Sequence, residues 1–415
     1  MPGRGTEPLD FAIEQIWGPS LARGVVRAIV EGPVPEGWEV REQYWIVPNR
    51  ASAQLLVPCD RRVAPRTLGD YARLRRPRKQ VVRRAFQAAA VAGLPLSRDI
   101  LRIVAPVGAP DTTVTEISTM VGAPAALATF GVRTAANAKP TLELRNPDGD
   151  PIGFVKLAWN SITRHAIENE ARAIKSMGQL SRSEIATPRV LADGLVQGRP
   201  FVMTEPLPRG IRHVPASFSA LKGMEALGPG AVVGRGAVSG VGHVTQVLAD
   251  LERITSVTPR RLGEQAKGLA ARVAASGAVV PVANFWHGDF VRWNTGRDPK
   301  GKLWLFDWET AQTDVPAGLD TLHWNAHTVD AMNPHSAVTR VGDSVERSMP
   351  MLTALGHSGA SAAVVAAWYA AVLVANEIRL AESLKSWERI KHPESVLLDL
   401  LAWGDRQLMR AARHA

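Results

Sequence analysis

Two short acidic motifs constrain what this chain can fold into more than any other feature. The first reads WHGDFVRWN over residues 286–294, and the second reads LFDWE over residues 305–309. Each motif places oxygen-bearing side chains among large apolar ones, and Asp307 directly follows a short apolar run that is typical of a strand. We therefore expect a fold that holds a polar loop and the end of a short strand side by side.

The polar residues of the two motifs are typical of phosphoryl transfer from a nucleotide. That reaction needs a carboxylate that orients the attacking hydroxyl, and two oxygen ligands that hold magnesium on the phosphates. Asn294 follows Asp289 by five positions, which is the spacing of the Asp and Asn in the HRDxxxxN pattern of protein kinases. We predict that Asp289 is the catalytic carboxylate and that Asn294 and Asp307 are magnesium ligands. We expect His287 to be structural.

Three tryptophans, Trp286, Trp293 and Trp308, alternate with these polar residues. We expect their rings to exclude water and to pack the loop against the strand.

The composition indicates a globular protein with two or three cores. The chain has 415 residues, of which 46% are hydrophobic and 21% are charged. Cys59 is the only cysteine, so no intrachain disulfide is possible. Acidic residues interrupt the start of the chain, and the longest apolar run, Ala362–Ala375, is shorter than the ~20 residues of a membrane helix. We expect that run to be a buried helix, and the protein to be cytoplasmic with no membrane span.

The net charge of +10 is concentrated near the N-terminus. Residues 1–115 contain 17 Lys and Arg and 11 Asp and Glu, and seven of the basic residues lie between Arg73 and Arg84. Such a cluster either attracts nucleic acid, acidic lipid or a polyanionic substrate, or is a solvated helix face. We favour the solvated face and do not expect a nucleic-acid partner, because no interleaved aromatic residues or nucleic-acid motif accompany the cluster.

Residues 1–115 predict a small α+β extension without assignable chemistry. It has three open roles: shaping a substrate pocket, binding a partner, or covering the next domain. The predicted elements are two strands joined by a turn, and two helices separated by Pro77: Val40–Val47, Ala53–Val57, Thr67–Arg75 and Lys79–Ala92.

Residues 116–206 predict an antiparallel sheet that carries one helix. The predicted order is three strands, a helix and two strands: Leu127–Val132, Thr141–Leu144, Ile152–Ala158, Arg164–Met177, Arg189–Ala192 and Arg199–Thr204. Residues 207–415 begin with a glycine-rich stretch and then become mainly helical. The predicted helices are Val244–Ile254, Gly263–Ala275, Leu319–Ala331 and several beyond Val341.

Lys156 lies on the apolar strand before the predicted helix, where an anchored lysine reaches the α- and β-phosphates of a nucleotide. Glu170 is the favoured anchor, because it shares a helix face with Ile174 and Met177, whereas Glu168 lies on a different face. The alternative is a solvent-facing lysine and an ordinary helix glutamate. We favour the functional interpretation because the two downstream motifs accompany the pair.

Two further segments allow more than one interpretation. Residues 201–207 are either a hinge in which the backbone of Glu205 and Leu207 pairs with an adenine edge, or a strand that ends at a proline. His323 and His327 lie four positions apart and are either a metal pair or residues of a helix face. We favour the helix face, because no HExxH motif surrounds them.

These residues resemble the aminoglycoside phosphotransferase-like family within the protein-kinase-like fold, over roughly residues 120–330. The resemblance implies a bilobal α+β fold, with an antiparallel-sheet N-lobe over residues 116–206 and a mainly helical C-lobe over residues 207–415. It also implies transfer of the γ-phosphoryl group from ATP, with Mg²⁺, to a hydroxyl of a sugar, an aminoglycoside or an amino alcohol.

The resemblance assigns roles to individual residues. Asp289 matches the family's catalytic Asp, Asn294 and Asp307 match its magnesium ligands, and Lys156 with Glu170 matches its phosphate-anchoring pair. Asp320 is similar to the Asp that follows the second magnesium motif and braces the catalytic loop. These three sets would form the cofactor site and its support.

The chain departs from the family pattern in two places. Arg292 stands where many relatives have a proline, and the expected phosphate-covering turn, residues 133–140, has no glycine. Since backbone donors approach a phosphate most closely where no Cβ intervenes, we expect a weaker grip, or one supplied partly by Asn137 and Lys139. The alternative function is therefore a nucleotide-binding pseudokinase or scaffold whose extension recruits a partner. A protein kinase is less expected, because Val291 replaces the usual lysine.

Overall fold

The structure is a computed structural model, and it forms two compact units. The first unit comprises Met1–Leu180, Thr187–Arg212 and Asp298–Gly301, and the second comprises Ser181–Ala186, His213–Arg297 and Lys302–Ala415. Helices and mainly antiparallel sheets both occur, so the predicted α+β class is confirmed. The described residues are 7–70, 74, 77–135, 137–179, 185–214, 232–330 and 337–413.

One nine-stranded antiparallel sheet organises the first unit. Its strands are β1 (Arg27–Ile29), β2 (Trp38–Val47), β3 (Leu55–Pro58), β4 (Ile100–Pro106), β5 (Leu127–Gly131), β6 (Thr141–Arg145), β7 (Pro151–Leu157), β9 (Val190–Val196) and β10 (Arg199–Thr204). Their spatial order is β1-β4-β2-β3-β5-β6-β7-β10-β9. The five strands predicted within residues 116–206 are therefore present, in the order β5-β6-β7-β10-β9.

The helices of the first unit pack on this sheet through separate apolar clusters. They are α1 (Pro8–Ala22), α2 (Val63–Gly69), α3 (Pro77–Val91), α4 (Thr113–Met120) and α5 (Ser161–Gln179). Trp17 of α1 is fully buried and contacts Phe130 of β5 at a ring distance of 5.4 Å. Helices α1 and α4 share the largest of these clusters with the sheet, α2 and α3 pack in a second, and α5 packs in a third.

The predicted extension and the predicted N-lobe share this sheet. Strand β3 pairs with β5, with Leu56 opposite Phe130. The predicted boundary after residue 115 falls inside α4, and the chain returns to the second unit at His213. Residues before the boundary therefore supply four of the nine strands of the sheet.

The prediction of a helix at Thr67–Arg75 was wrong. Helix α2 covers Val63–Gly69, and residues 71–73 and 75 of the predicted segment lie outside the described part of the chain. The Asp60 side chain accepts the backbone N–H groups of Arg62 and Val63, which fixes the earlier start. Pro65 lies in the first turn, where the missing N–H costs no helical hydrogen bond.

Helix α1 was not predicted, because Gly18 and Pro19 lie inside it. Proline has no N–H to pair with the carbonyl four residues earlier, so Pro19 leaves the Gln15 carbonyl without its helical partner. Arg199 of β10 fills this gap: Nη1 donates to Gln15 O at 2.7 Å, and Nη2 donates to Ile16 O at 2.8 Å. Burial lowers the pKa of Arg199 to about 10, which still leaves the guanidinium charged at neutral pH.

The second unit is mainly helical and contains two small sheets. Its helices are α6 (Gly242–Glu252), α7 (Arg260–Ala275), α8 (Leu319–Asp330), α9 (Ala337–Ala354), α10 (Gly359–Leu384) and α11 (Glu394–Arg413). One sheet joins β11 (Val232–Ala237), β12 (Val279–Ala283) and β15 (Val315–Pro316). The other joins β13 (Thr295–Arg297), β14 (Leu303–Leu305) and β8 (Ile185–Ala186).

Helix α10 is the central core element of the second unit, so the prediction of a buried helix at Ala362–Ala375 is confirmed. It packs against α11 and α7, and Trp368 and Tyr369 are almost fully buried. Among the described residues it is the one helix long and apolar enough to cross a membrane. Since 72% of its most apolar window is buried inside the fold, the helix already has protein partners for its apolar surface.

His243 of α6 packs in the same core. It is 2% exposed, and Trp368 Nε1 donates to its Nδ1 at 3.3 Å. Burial, assisted by the charge of Arg379, lowers the pKa of His243 to about 3. The folded state therefore keeps this imidazole neutral under mildly acidic conditions.

We expect the Arg199→Met variant to lose about 1–3 kcal/mol of unfolding free energy, because the Gln15 carbonyl is then buried without a partner. In a Pro19→Ala background, the new alanine supplies the missing N–H, so the same substitution should cost about 1 kcal/mol less. Urea unfolding of the four proteins in this double-mutant cycle measures the difference. Strictly additive losses would show that Arg199 does not replace the helical donor.

We also expect His243 to weaken the fold as the pH decreases. The unfolded ring takes up a proton below a pKa of about 6.5, whereas the folded ring does so only near pH 3. Stability is therefore present above the unfolded pKa and is lost at about 1.4 kcal/mol per pH unit as the pH falls through this window. Urea unfolding measures the difference in unfolding free energy between wild type and His243→Gln, and this difference should decrease by that amount for each pH unit. Replacement of the exposed His165 by Gln is the matched control, and pH curves of wild type and His243→Gln that run parallel would contradict the assignment.

Candidate functional site

The two acidic motifs are joined through backbone pairing in the second unit. Trp286 and Gln312 exchange two backbone hydrogen bonds, of 2.8 and 2.9 Å, at the start of the loop formed by residues 286–294. At the other end of the loop, β13 pairs with β14, and Phe306 N donates to Asn294 O at 3.1 Å. Asp307 is the next residue, so the end of the strand lies beside the end of the loop, as the motifs predict.

Asp289, Asn294 and Asp307 come together at this junction. Asn294 Nδ2 donates to Asp289 Oδ2 at 2.8 Å and to the Asp289 carbonyl at 3.0 Å. Asn294 is 4% exposed, so its amide is held in place. Asp307 has a φ of 73°, and its charge acts on the pKa of both Asp289 and His287. A non-glycine residue held in this left-handed conformation is often part of a functional site.

The donor set at this junction fits a magnesium ion. Because Asn294 directs Nδ2 to Asp289, its Oδ1 points away from that carboxylate. Asp307 and Glu309 each place a carboxylate oxygen within 4.8 Å of the other. Hard oxygen atoms of this kind are the ligands that magnesium prefers. Glu309 was not predicted as a ligand, although it stands two positions after Asp307 in the same motif.

Asp320 lies at the start of α8 and accepts two backbone hydrogen bonds from the loop. Its Oδ2 accepts from His287 N at 3.0 Å, and its Oδ1 accepts from Gly288 N at 3.3 Å. Asp320 is 7% exposed, and burial raises its pKa to about 7 against the effect of these two bonds. The bracing contact that the sequence predicts for Asp320 is thus made to the residues immediately before Asp289.

Gly288 is the one loop residue whose side chain must be absent. Its φ is 82°, and a Cβ at this position would collide with the carbonyl oxygen of Thr310 and lie 2.8 Å from its hydroxyl oxygen. Thr310 Oγ1 in turn donates to His287 O at 3.2 Å. The tight approach of the two segments therefore accounts for the glycine of the HGD sequence.

His287 is fully buried and contacts the backbone of the loop. Asp289 N donates to its Nδ1 at 3.3 Å, so the ring proton belongs on Nε2. The ring lies against Trp308 at a centroid distance of 4.4 Å. Burial lowers the pKa of His287 to about 4, although the charges of Asp289 and Asp307 oppose the shift. A neutral ring in this position orients the loop, which is the structural role that the sequence predicts.

His323 of α8 is a site residue that the sequence interpretation did not select. Its Nε2 lies 3.4 Å from Asp289 Oδ1, and its Nδ1 lies 3.0 Å from the Tyr369 hydroxyl. Burial raises the pKa of Asp289, but the hydrogen bond from His323 leads the interactions that bring this pKa below its usual value. A signal was present in the sequence: His323 stands three positions after Asp320, on the same face of a helix.

Two of the tryptophans behave as predicted and one does not. Trp286 is 4% exposed and Trp308 is fully buried. Trp293 is 54% exposed, with its ring edge-on to His327 at 5.7 Å, so the expectation that all three exclude water was wrong. The difference follows from the short helical turn Arg292–Asn294, in which the buried Asn294 follows Trp293 directly.

Lys156 and Glu170 form an ion pair in the first unit. The ammonium lies 2.6 and 2.7 Å from the two carboxylate oxygens, which joins β7 to α5. The Glu170 side chain is 3% exposed, whereas that of Lys156 is 20% exposed. Glu168, the rejected partner, lies near Arg164 in an exposed pair. The anchored lysine thus keeps part of its surface open to solvent.

The other predicted nucleotide contacts lie at the ends of strands in the first unit. Glu205 forms an ion pair of 2.9 Å with Arg189, and its N–H donates to Arg189 O. The Leu207 side chain is half-buried. In the turn before β6, Asn137 is exposed and Lys139 is half-buried. Each residue is accessible at a strand end, and their binding roles remain predictions.

Arg292 makes a backbone contact that a proline could not make. Its Nε donates to the carbonyl of Val214 at 2.7 Å. His213, the preceding residue, pairs through Nδ1 with Thr295 O at 3.0 Å. The end of the loop formed by residues 286–294 thus contacts His213 and Val214.

Several solved structures of kinases and phosphotransferases are similar to this chain. Choline kinase LicA from Streptococcus pneumoniae is 13% identical, with a TM-score of 0.38, over 72% of this chain and 95% of that one. The GDP complex of aminoglycoside 2'-phosphotransferase-IIIa is 9% identical, with a TM-score of 0.38, over 72% and 97%. The bifunctional kinase-methyltransferase WbdD is 13% identical, with a TM-score of 0.21, over 77% and 56%.

No family model matches the chain, and no curated protein matches it. The solved structures that it resembles include an aminoglycoside phosphotransferase, which is the kind of protein that the two motifs resemble.

We expect Asp320→Ala to leave two buried N–H groups unpaired and therefore to cost about 1–3 kcal/mol of unfolding free energy for each. Asp320→Asn keeps one acceptor oxygen and should lose about half as much. Urea unfolding measures the total loss of unfolding free energy in each variant. Faster hydrogen exchange at the amides of His287 and Gly288 would show that the loss arises at these two bonds. Asp399→Ala, at an exposed position of α11, is the control. Unchanged exchange at the two amides in Asp320→Ala would show that Asp320 does not brace the loop.

Proposed function

We propose that this protein is an ATP-dependent phosphotransferase that moves the γ-phosphoryl group to a hydroxyl of a small molecule. One observation carries the proposal: a carboxylate, Asp289, is hydrogen-bonded to the amide of Asn294, five positions along the chain, and lies beside the carboxylate of Asp307. This set supplies the acceptor-orienting group and the oxygen ligands that phosphoryl transfer requires.

Asp289 orients the acceptor. The hydroxyl donates its hydrogen bond to the carboxylate, which points the oxygen at the γ-phosphorus. As the new O–P bond forms, the bond between the γ-phosphorus and the bridging oxygen breaks and ADP leaves. The hydroxyl proton passes to an Asp289 oxygen. A pKa below the usual value for Asp289 keeps the carboxylate ionised and ready to accept this hydrogen bond.

The remaining residues neutralise and position the phosphates. Asn294 and Asp307 would hold magnesium, which when bound spreads the negative charge of the phosphates. Lys156, anchored by Glu170, presents its ammonium group to the α- and β-phosphates. Asn137, Lys139 and the backbone near Glu205 and Leu207 would add contacts to the phosphates and the base. In such a reaction most of the rate enhancement comes from positioning and electrostatic stabilisation.

The acceptor is a small molecule rather than a protein side chain. Val291 is fully buried at the place where protein kinases carry a lysine that contacts the transferred phosphate. A sugar, an aminoglycoside or an amino alcohol is the acceptor class that the motif resemblance implies. Compounds of these three kinds therefore form the panel for a first assay.

The alternative is a pseudokinase or scaffold that binds the nucleotide without transferring phosphate. The absence of glycine from residues 133–140 favours it. The two functions differ in a single measurement, because the alternative predicts nucleotide binding and no product.

The test is transfer of labelled γ-phosphate, from ATP and from GTP, to a panel of sugars, aminoglycosides and amino alcohols, and to water. We expect Asp289→Asn to lower kcat by about 10²–10⁴-fold while leaving nucleotide affinity and thermal unfolding unchanged. Asp399→Asn is the matched control at an exposed site. Wild-type turnover in Asp289→Asn would refute the assignment, and nucleotide binding without any product would support the pseudokinase.

A further inference from the structure

A buried hydrogen-bond chain reaches Asp289 from two helices of the second unit. The Tyr369 hydroxyl, on α10, lies 3.0 Å from Nδ1 of His323 on α8. The Nε2 of the same imidazole lies 3.4 Å from Asp289 Oδ1. Tyr369 is 1% exposed and His323 is 8% exposed, so water does not replace either contact.

The chemistry of the partners assigns each proton in this chain. An ionised carboxylate only accepts hydrogen bonds, so the His323 proton must lie on Nε2. Burial raises the pKa of Tyr369, which keeps its hydroxyl protonated and able to donate to Nδ1. An imidazole with a proton on Nε2 and a lone pair on Nδ1 therefore satisfies both neighbours. The hydroxyl of Tyr369 selects this form, as the partner of one ring nitrogen sets the proton position on the other.

Both oxygens of Asp289 are consequently held, one by a residue of α8 and the other by a residue of the same loop. His323 contacts Oδ1, and Asn294 contacts Oδ2 at 2.8 Å. Two donors on two different oxygens fix the rotation of the carboxylate plane as well as its location. Each oxygen keeps a further lone pair, so the carboxylate still accepts a hydroxyl.

We propose that His323, held by Tyr369, is a positioning residue that fixes the Asp289 carboxylate for phosphoryl transfer. This inference rests on the proposed function, because it takes Asp289 as the carboxylate that orients the acceptor. Misplacement of a reacting group by about 1 Å costs up to about 10²-fold in rate. His323 therefore acts on turnover through Asp289.

The same contacts exclude the metal-pair interpretation of His323 and His327. The two rings are close, with centroids 4.4 Å apart. Both ring nitrogens of His323 are already engaged, by Asp289 and by Tyr369, so neither is left as a ligand. His323 and His327 therefore lie on a helix, as the helix-face interpretation predicts, and His323 on that helix contacts Asp289.

The first experiment reads the proton position and needs no turnover. In the full chain labelled with ¹⁵N-histidine, the imidazole signals missing from His323→Gln belong to His323. We expect a protonated Nε2 and a hydrogen-bonded, unprotonated Nδ1, and we expect Tyr369→Phe to move the Nδ1 signal to the position of an imine nitrogen without a hydrogen bond. A protonated Nδ1 in the wild type, or an Nδ1 signal indifferent to Tyr369→Phe, would overturn the proposal.

The second experiment measures turnover, with hydrolysis of ATP as the reaction where no acceptor is known. We expect His323→Leu to lower kcat by about 10–10²-fold with the KM for ATP unchanged. His323→Gln keeps an N–H donor near the Nε2 position and should recover most of that loss, whereas a purely structural role would give equal losses. Tyr369→Phe should fall between the two.

Tyr44→Phe is the matched control, because Tyr44 is a buried tyrosine of the first unit whose hydroxyl contacts Glu42. It should change thermal stability and leave kcat unchanged.

If wild type turns over and His323→Leu does so equally well, the inference fails while the proposed function stands. If wild type binds ATP but yields no product from any acceptor or from water, the proposed function fails and the positioning role fails with it. If His323→Leu does not fold, kcat is compared between His323→Gln and Tyr369→Phe. A lower kcat in Tyr369→Phe supports the proposal, and equal values overturn it.

Discussion

The hydrogen bonds from His287 and Gly288 to the Asp320 carboxylate determine where Asp289 can point. They hold the two residues before it, and the positive φ of Gly288 turns the chain so that Asp289 faces Asn294. Burial makes the Asp320 carboxylate costly to keep ionised, which is why the pKa of Asp320 is raised to about 7. Because α8 carries both Asp320 and His323, a single helix sets the loop backbone and also holds the carboxylate.

The first unit depends on residues that precede the strands of residues 116–206. Phe130 of β5 is buried against Trp17 of α1 and Tyr44 of β2, with ring distances of 5.4 and 5.3 Å. Arg199 joins β10 to the same helix. Without those partners the face of β5 would be exposed apolar surface, at a cost of roughly 25 cal/mol per Å². Residues 1–115 are therefore part of the folding unit that carries Lys156.

The sequence predicted the parts of the site whose spacing is local. The five-residue interval fixed the pairing of Asp289 with Asn294, and helical periodicity chose Glu170 over Glu168 as the neighbour of Lys156. The sequence did not predict contacts between segments that are far apart along the chain. His323 lies 34 positions from Asp289 in the sequence. Helix α1 was not predicted because it contains a proline, and the hydrogen bond that replaces the missing proline N–H comes from Arg199, on a strand far along the chain. Such pairings depend on tertiary packing, which local pattern does not encode.

The glycine-free turn before β6 is held by a side chain instead of by backbone freedom. Trp159 Nε1 donates to Ala138 O at 2.9 Å, and Ala138 N donates to Ala135 O. Phe11 of α1 packs edge-on against the Trp159 ring at 5.1 Å. A glycine-rich turn is free to adapt to a phosphate and loses entropy when it does so. A turn that is already fixed loses less, so it binds tightly only if its geometry is correct beforehand. In this chain Phe11 of α1 packs against the ring that holds Ala138, which gives the N-terminal residues a physical connection to the predicted phosphate-covering turn.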